Sequence, residues 1–222
     1  MKRIMVVMLI LFCAVNLFAQ QNGVITELYG TVELKPSGQT GFIPAKAGDT
    51  VAMDTIVSTG FKSTALIKAG STVLTVRPLT RLSLSELSGT AGTETLNVSL
   101  QTGRVKVDVK PPAGTRTNMT VQSPTATASV RGTSFEFDTQ SLTVLEGTVA
   151  FQGSNGGVML VNAGSTSDIS VNGRSADPVE TYAANLLPPA PVGIVLGNTS
   201  SGTAAPGIIE GDGEFGLEFV LQ

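Results

Sequence analysis

Residues Val121 to Glu136 read VQSPTATASVRGTSFE, and the way this stretch is read decides the fold. Pro124 marks a turn, and a run of Thr, Ala and Val follows. A single cation, Arg131, then precedes a Gly-Thr step that opens an alternating strand carrying Phe135 and Phe137. A cation enclosed between two strands is costly unless a carboxylate or several carbonyls receive it. The stretch therefore reads as a fixed corner, with Arg131 locked in a bidentate pair that fixes the turn from Ser123 to Thr133. On that expectation Arg131→Ala costs about 3–5 kcal/mol, the loss of one partner of a buried pair. The alternative pairs Arg131 with Glu146 or Asp54 at a ligand groove, ready to meet an anionic group.

Outward from this corner the chain alternates. Val105, Val107 and Val109 are separated by Lys106 and Asp108, and Leu82 and Leu84 alternate with Ser83 and Ser85. A period of two buries one face of a strand and wets the other. Turn signals punctuate these runs at Pro36-Ser37-Gly38, Ala47-Gly48-Asp49, Ala69-Gly70-Ser71, Ser88-Gly89, Ser154 to Gly157 and Asn172-Gly173. With 27 Thr and 25 Gly in 222 residues, the composition points to short strands and tight turns. The pattern predicts an all-β, compact two-sheet domain over residues 20–175, solenoid-like or sandwich in build.

Three Gly-x-Val steps echo one another at Gly30, Gly103 and Gly147, at intervals of 73 and 44 residues. The unequal spacing excludes a solenoid of fixed period. Either the steps are recurring hairpin turns, for which Gly supplies a positive φ, or they mark repeated modules. Ala69-Gly70-Ser71-Thr72 and Ala163-Gly164-Ser165-Thr166 repeat a second turn.

Residues 1–19 read as a signal peptide. Lys2 and Arg3 form a basic start, Ile4 to Phe12 an apolar run, and Ala19 a small residue before the expected cleavage site. An uncleaved anchor would need an apolar run nearer to about 20 residues. A lipid on Cys13 would need a small residue where Phe12 stands. Export places the protein in the periplasm or on the cell surface, with the leader, if retained, as its membrane contact. Near the other end, Asp177, Pro178 and Glu180 predict a helix over 176–188 that stops at Pro188-Pro189. A Pro/Gly-rich linker or tail over 189–213 and an alternating terminal strand over 214–222 follow.

The leader holds the only Cys, and the chain has no His and no Trp. Without His or Cys, catalytic triads, thiol nucleophiles and ordinary zinc sites have no material. Removing Lys2 and Arg3 leaves twelve cations against seventeen acids, a net charge of −5, which is not the footprint of a nucleic-acid binder. Asp49 with Asp54, or Glu136 with Asp138, offer carboxylate pairs for glycoside hydrolysis. The sequence supplies no Trp and only two Tyr for a sugar platform, so turn caps and solvated strand faces account for these acids more economically. Asp212 and Glu214 with one Gly fall short of the six to eight oxygens of a calcium loop. No cofactor is expected.

The ordered pieces resemble the FecR domain, a periplasmic sensing module of bacterial envelope signal transducers. They are Leu28 to Val32, Ala47 to Val51, Asp54 to Gly60, Ala69 to Ser71, Leu100 to Val105, Ser123 to Phe135, Val144 to Val149 and Asn162 to Gly164. Together they run from about Gly23 to Asp168 and centre on Val130-Arg131-Gly132-Thr133. The resemblance implies a non-enzymatic, coil-like two-sheet module. Arg131, Gly132, Thr133, Glu146 and Asp54 are its candidate structural or interaction residues. It also implies a cytoplasmic arm holding a sigma factor, whereas only Met1 to Arg3 precede the apolar leader. The expectation is an exported binding or scaffold module that meets a protein or envelope glycan at its sheet edges. The alternative is a sensor subunit acting through a separate membrane protein.

Overall fold

The computed structural model describes residues 21–90 and 92–179. Seventeen strands carry this part of the chain. In order they are β1 (Gly23–Tyr29), β2 (Val32–Lys35), β3 (Ile43–Pro44), β4 (Thr50–Val51), β5 (Ile56–Thr59) and β6 (Thr64–Ala69). Then come β7 (Thr72–Val76), β8 (Arg81–Thr90), β9 (Thr93–Thr102), β10 (Arg104–Val109), β11 (Arg116–Gln122) and β12 (Ala126–Val130). The last are β13 (Ser134–Asp138), β14 (Ser141–Glu146), β15 (Thr148–Gly153), β16 (Met159–Asn162) and β17 (Thr166–Asp168). The expected all-β, two-sheet architecture is what the chain adopts.

One sheet has the order β17-β14-β13-β10-β7-β6-β1-β4 and the other β16-β15-β12-β11-β9-β8-β5-β2-β3. Along the chain, visits alternate between the sheets; β3 and β4 take the outer edges beside β2 and β1, and from β5 onward every visit adds strands on the other side. The molecule is thus wound progressively, like a coil whose turns are hairpins. Between β6 and β16 most visits are a full hairpin, so the chain returns to its earlier sheet antiparallel. The visit of β10 is a single strand, and the chain comes back reversed. That is why β9 and β11 form the parallel pair, with Arg116 opposite Thr93 and Gln122 opposite Ser99.

Alternation fills the space between the sheets. Val105, Val107 and Val109 of β10, Ala126, Ala128 and Val130 of β12, and Phe135 and Phe137 of β13 all point inward and are buried. Phe137 meets Phe151 of β15 edge to face across the layer, with ring centroids 5.9 Å apart. The intervening residues, Lys106, Asp108, Thr127, Ser129 and Glu136, lie on the outer faces.

The three Gly-x-Val steps are not hairpin turns. Each is a corner at which the chain leaves one sheet for the other: Gly30 between β1 and β2, Gly103 between β9 and β10, Gly147 between β14 and β15. Their φ values are +76°, +87° and +77°, so the conformational demand read from the sequence holds, at a different kind of turn. Close packing adds a second demand. A Cβ at Gly103 would lie 2.4 Å from Thr80 Oγ1, one at Gly30 2.4 Å from Ser63 Oγ, and one at Gly147 2.6 Å from Thr133 Cγ2. Each corner glycine therefore nests against a buried hydroxyl residue of a neighbouring corner. At two corners that hydroxyl also stitches the backbone. Thr31 N donates to Ser63 Oγ (2.8 Å), and Arg104 N donates to Thr80 Oγ1 (2.9 Å), which donates in turn to the Arg104 carbonyl (3.0 Å).

The second repeated turn divides in use. Ala69 to Thr72 closes the β6–β7 hairpin within one sheet, whereas Ala163 to Thr166 carries the chain from β16 to β17 in the other. Ser88-Gly89, expected as a turn, lies inside β8, whose hairpin to β9 turns just after it. Of the helix expected over 176–188, Pro178 and Val179 are helical, and the rest lies outside the described residues. So do the signal peptide, the tail over 189–213 and the strand over 214–222.

Candidate interaction surfaces

Arg131 is exposed and makes no ion pair among the described residues. The locked, buried pair expected from the sequence is therefore absent. Parity explains it: Ala126, Ala128 and Val130 face the core, so positions 127, 129 and 131 face out. Glu146, the last residue of β14, pairs in register with Ser134 and is exposed. Asp54 sits in the turn between β4 and β5, exposed, with φ +58°. The structure does not bring either acid to Arg131. Gly132 takes φ +74° at the corner between β12 and β13, and Thr133 behind it is 6% exposed. The Thr133 Oγ1 is buried without a hydrogen-bond partner, as is that of Thr72.

What Arg131 does line is a groove of about 620 Å³ on the outer face of β11, β12 and β15. Asn118, Thr120, Ser129 and Thr148 give its polar lining, and Ala150 and Leu160 its apolar side. Leu160 belongs to β16, the terminal strand of its sheet, which is hydrogen-bonded on one side only, to β15. Val158 and Leu160 are 61% and 63% exposed. The edge strands differ in what they offer. β3 and β4 are two residues each and β17 three, while β16 has four. Near β4 the ladder between β1 and β6 is further broken by a bulge between Ile25 and Glu27. Short strands and bulges blunt an edge against further pairing. The edge of β16 is the least blunted.

The paired carboxylates lie elsewhere, in a cleft of about 740 Å³ walled by Arg77, Leu79, Arg104, Glu136, Asp138 and Gln140. Glu136 and Asp138 do share one strand face, as their spacing requires. Each is held by an arginine: Arg77 Nε to Glu136 Oε1 at 3.2 Å, Arg104 Nη2 to Asp138 Oδ2 at 3.1 Å. Asp138 Oδ1 also accepts from the amides of Gln140 (2.9 Å) and Ser141 (2.7 Å). Its lone pairs are thus committed to holding the β13–β14 turn. Asp49 plays a similar part, accepting from Lys46 N at 2.7 Å. Among the described residues no cluster of three or more His, Cys, Asp or Glu is placed to hold a metal ion.

The family model described as FecR protein matches residues 55–150. Over that segment the chain is similar to the FecR family. The match is narrower than the span from Gly23 to Asp168, but it contains the Gly103 and Gly147 corners and the whole of the Val121 to Glu136 stretch. The chain is also similar to two crystal structures of a protein from Parabacteroides distasonis ATCC 8503, provisionally described as an anti-sigma factor, at 1.65 and 2.50 Å resolution. Both are 17% identical with TM-scores of 0.44; the matches cover 59% and 55% of this chain. The chain spans 64% and 57% of the length of those relatives. No curated protein matches the sequence significantly.

Proposed function

We propose that this protein is an exported, non-catalytic FecR-domain module of the bacterial envelope, which serves signal transduction by binding a protein partner. The FecR match ties it to regulation. The observation that carries the binding mode is the one-sided pairing of β16 beside the Arg131 groove. An extended partner segment adds to this edge through main-chain hydrogen bonds, which give affinity without special side chains. Val158 and Leu160 receive its apolar side chains, and Arg131 meets a carboxylate. The arginine-held Glu136 and Asp138 support a module that recognises without making bonds. A separate membrane protein carries the signal onward.

Affinity capture from intact envelopes tests this reading, with the wild-type chain and the Val158→Lys, Leu160→Lys variant as baits. A protein retained by the first and lost with the second is expected, because edge lysines oppose strand addition. Retention unchanged by the two lysines, or retention of glycan alone, would overturn it.

A further inference from the structure

Four corners stack side by side at one end of the sandwich: residues 30–31, 60–63, 77–80 and 103. They are hydrogen-bonded rung to rung, Gly60 N to the Thr31 carbonyl at 2.9 Å and Leu79 N to the Gly60 carbonyl at 3.2 Å. Large apolar side chains that bury little of themselves stand on or beside three of these rungs: Tyr29, the last residue of β1, is 75% exposed, Phe61 73% and Leu79 60%. Large exposed apolar groups gathered at one place mark an interaction site, whereas single scattered ones need no explanation.

The backbone adds a second, independent sign. Among the described residues eleven glycines take positive φ, and so does Asp54, a residue type that tolerates it. The other two are Lys62 (φ +53°) and Leu79 (φ +57°), on neighbouring rungs of this same end. Left-handed backbone at a lysine and a leucine is strained, and such strain gathers at functional sites. The fold accepts that strain where Gly or Asn would remove it, and it presents an apolar tip and a cation there.

The charges at this end indicate the occupant. Arg77 and Arg104 are held by Glu136 and Asp138. Among the described residues Lys62 and Arg81, the first residue of β8, pair with no carboxylate. Each lies over an aromatic ring instead, Lys62 Nζ 5.6 Å from the Phe61 centroid and Arg81 Cζ 5.5 Å from that of Phe42. Aromatic rings settle at headgroup depth, and cations beside them reach anionic headgroups. The rungs form a row of turn tips, shaped to press into a surface. From this we propose that the Tyr29–Phe61–Leu79 ridge, with Lys62 and Arg81, docks the module on an anionic lipid bilayer. This contact is separate from any leader and does not rest on the β16 reading.

The test is co-sedimentation of the exported full-length protein with vesicles of phosphatidylglycerol and phosphatidylethanolamine, against vesicles of phosphatidylcholine alone. The Tyr29→Ser, Phe61→Ser, Leu79→Asn variant is compared with wild type and with Val171→Ser, which removes another exposed apolar side chain, in the turn after β17. All share the same N-terminal segment, so differences between them read the ridge. The triple variant is expected to bind the anionic vesicles at least about five-fold more weakly, Val171→Ser as wild type, and wild type to prefer anionic over neutral vesicles. Should the triple variant melt lower than wild type, Phe61→Ser with Leu79→Asn carries the test, since Asn relieves the left-handed position. Equal sedimentation of wild type and ridge variant, or no preference for anionic lipid, would overturn the proposal. So would loss of a captured protein from the ridge variant with vesicle binding unaltered, which would reassign the ridge to protein docking.

Discussion

Replacing Gly103 by Ala separates the two demands that a sheet-switching corner makes on its glycine. The first is conformational. A φ of +87° costs an L-residue about 1–2 kcal/mol. The second is steric. The new Cβ would lie 2.4 Å from Thr80 Oγ1, 2.5 Å from Thr80 Cα and 2.7 Å from the Leu79 carbonyl oxygen. Two of those three atoms are backbone and cannot swing aside, so overpacking adds about 1–3 kcal/mol. Gly38 provides the comparison: its φ is +78°, yet nothing lies within 4 Å of its Cβ position, so Gly38→Ala incurs the conformational cost alone. In a domain of this size each kcal/mol moves Tm by about 2–4 °C. Gly103→Ala is expected to lower Tm by about 10 °C and Gly38→Ala by about half of that or less. Thermal and urea unfolding followed by circular dichroism measure both, with the urea m-value unchanged if the native and unfolded states keep their compactness. Equal losses for the two variants would refute the idea that neighbouring corners are packed against one another.

The corner hydroxyls give a paired prediction. Thr80→Val strips the acceptor from Arg104 N and should cost about 1–3 kcal/mol, whereas Thr133→Val removes a hydroxyl with no partner and should be neutral or stabilising. Urea midpoints of the two variants check the contrast. Phe137→Ala should lose about 3–5 kcal/mol, and a double-mutant cycle with Phe151→Ala should return about 0.5–1.5 kcal/mol for the edge-to-face pair. Arg131→Ala, exposed and unpaired, should shift Tm by less than about 2 °C while weakening partner capture at the β16 edge; a loss of several degrees would restore the buried-pair reading of this residue.

The periodicity of β10, β12 and β13 was enough to place their inward faces, because each strand is wet on one side and dry on the other. The corner glycines were recognisable as positive-φ positions but not as sheet switches. The local sequence of Gly103-Arg104-Val105 is the same whether the chain doubles back or crosses the layer; what differs is the partner, Thr80, which is remote in sequence. Arg131 shows the opposite case. Counting parity from Ala126 and Val130 was sufficient to place it outside, but a lone cation beside a Gly-Thr step drew attention to burial and pairing. Lys62 and Leu79 escaped notice because nothing in Phe61-Lys62-Ser63 or Pro78-Leu79-Thr80 announces a left-handed backbone. Leu160 escaped for a related reason. A four-residue run in which only Val161 is buried carries little periodic signal, and its value as an edge arises from strand order.

Site-specific photocrosslinking in intact cells tests the binding claim most directly, with a photoreactive side chain placed at Leu160 on the open edge and, separately, at Ile43 on the short β3 edge. The proposal predicts one discrete protein adduct from position 160 that disappears in the Arg131→Ala background, and none from position 43. No adduct at 160, or matching adducts from both positions, would contradict it.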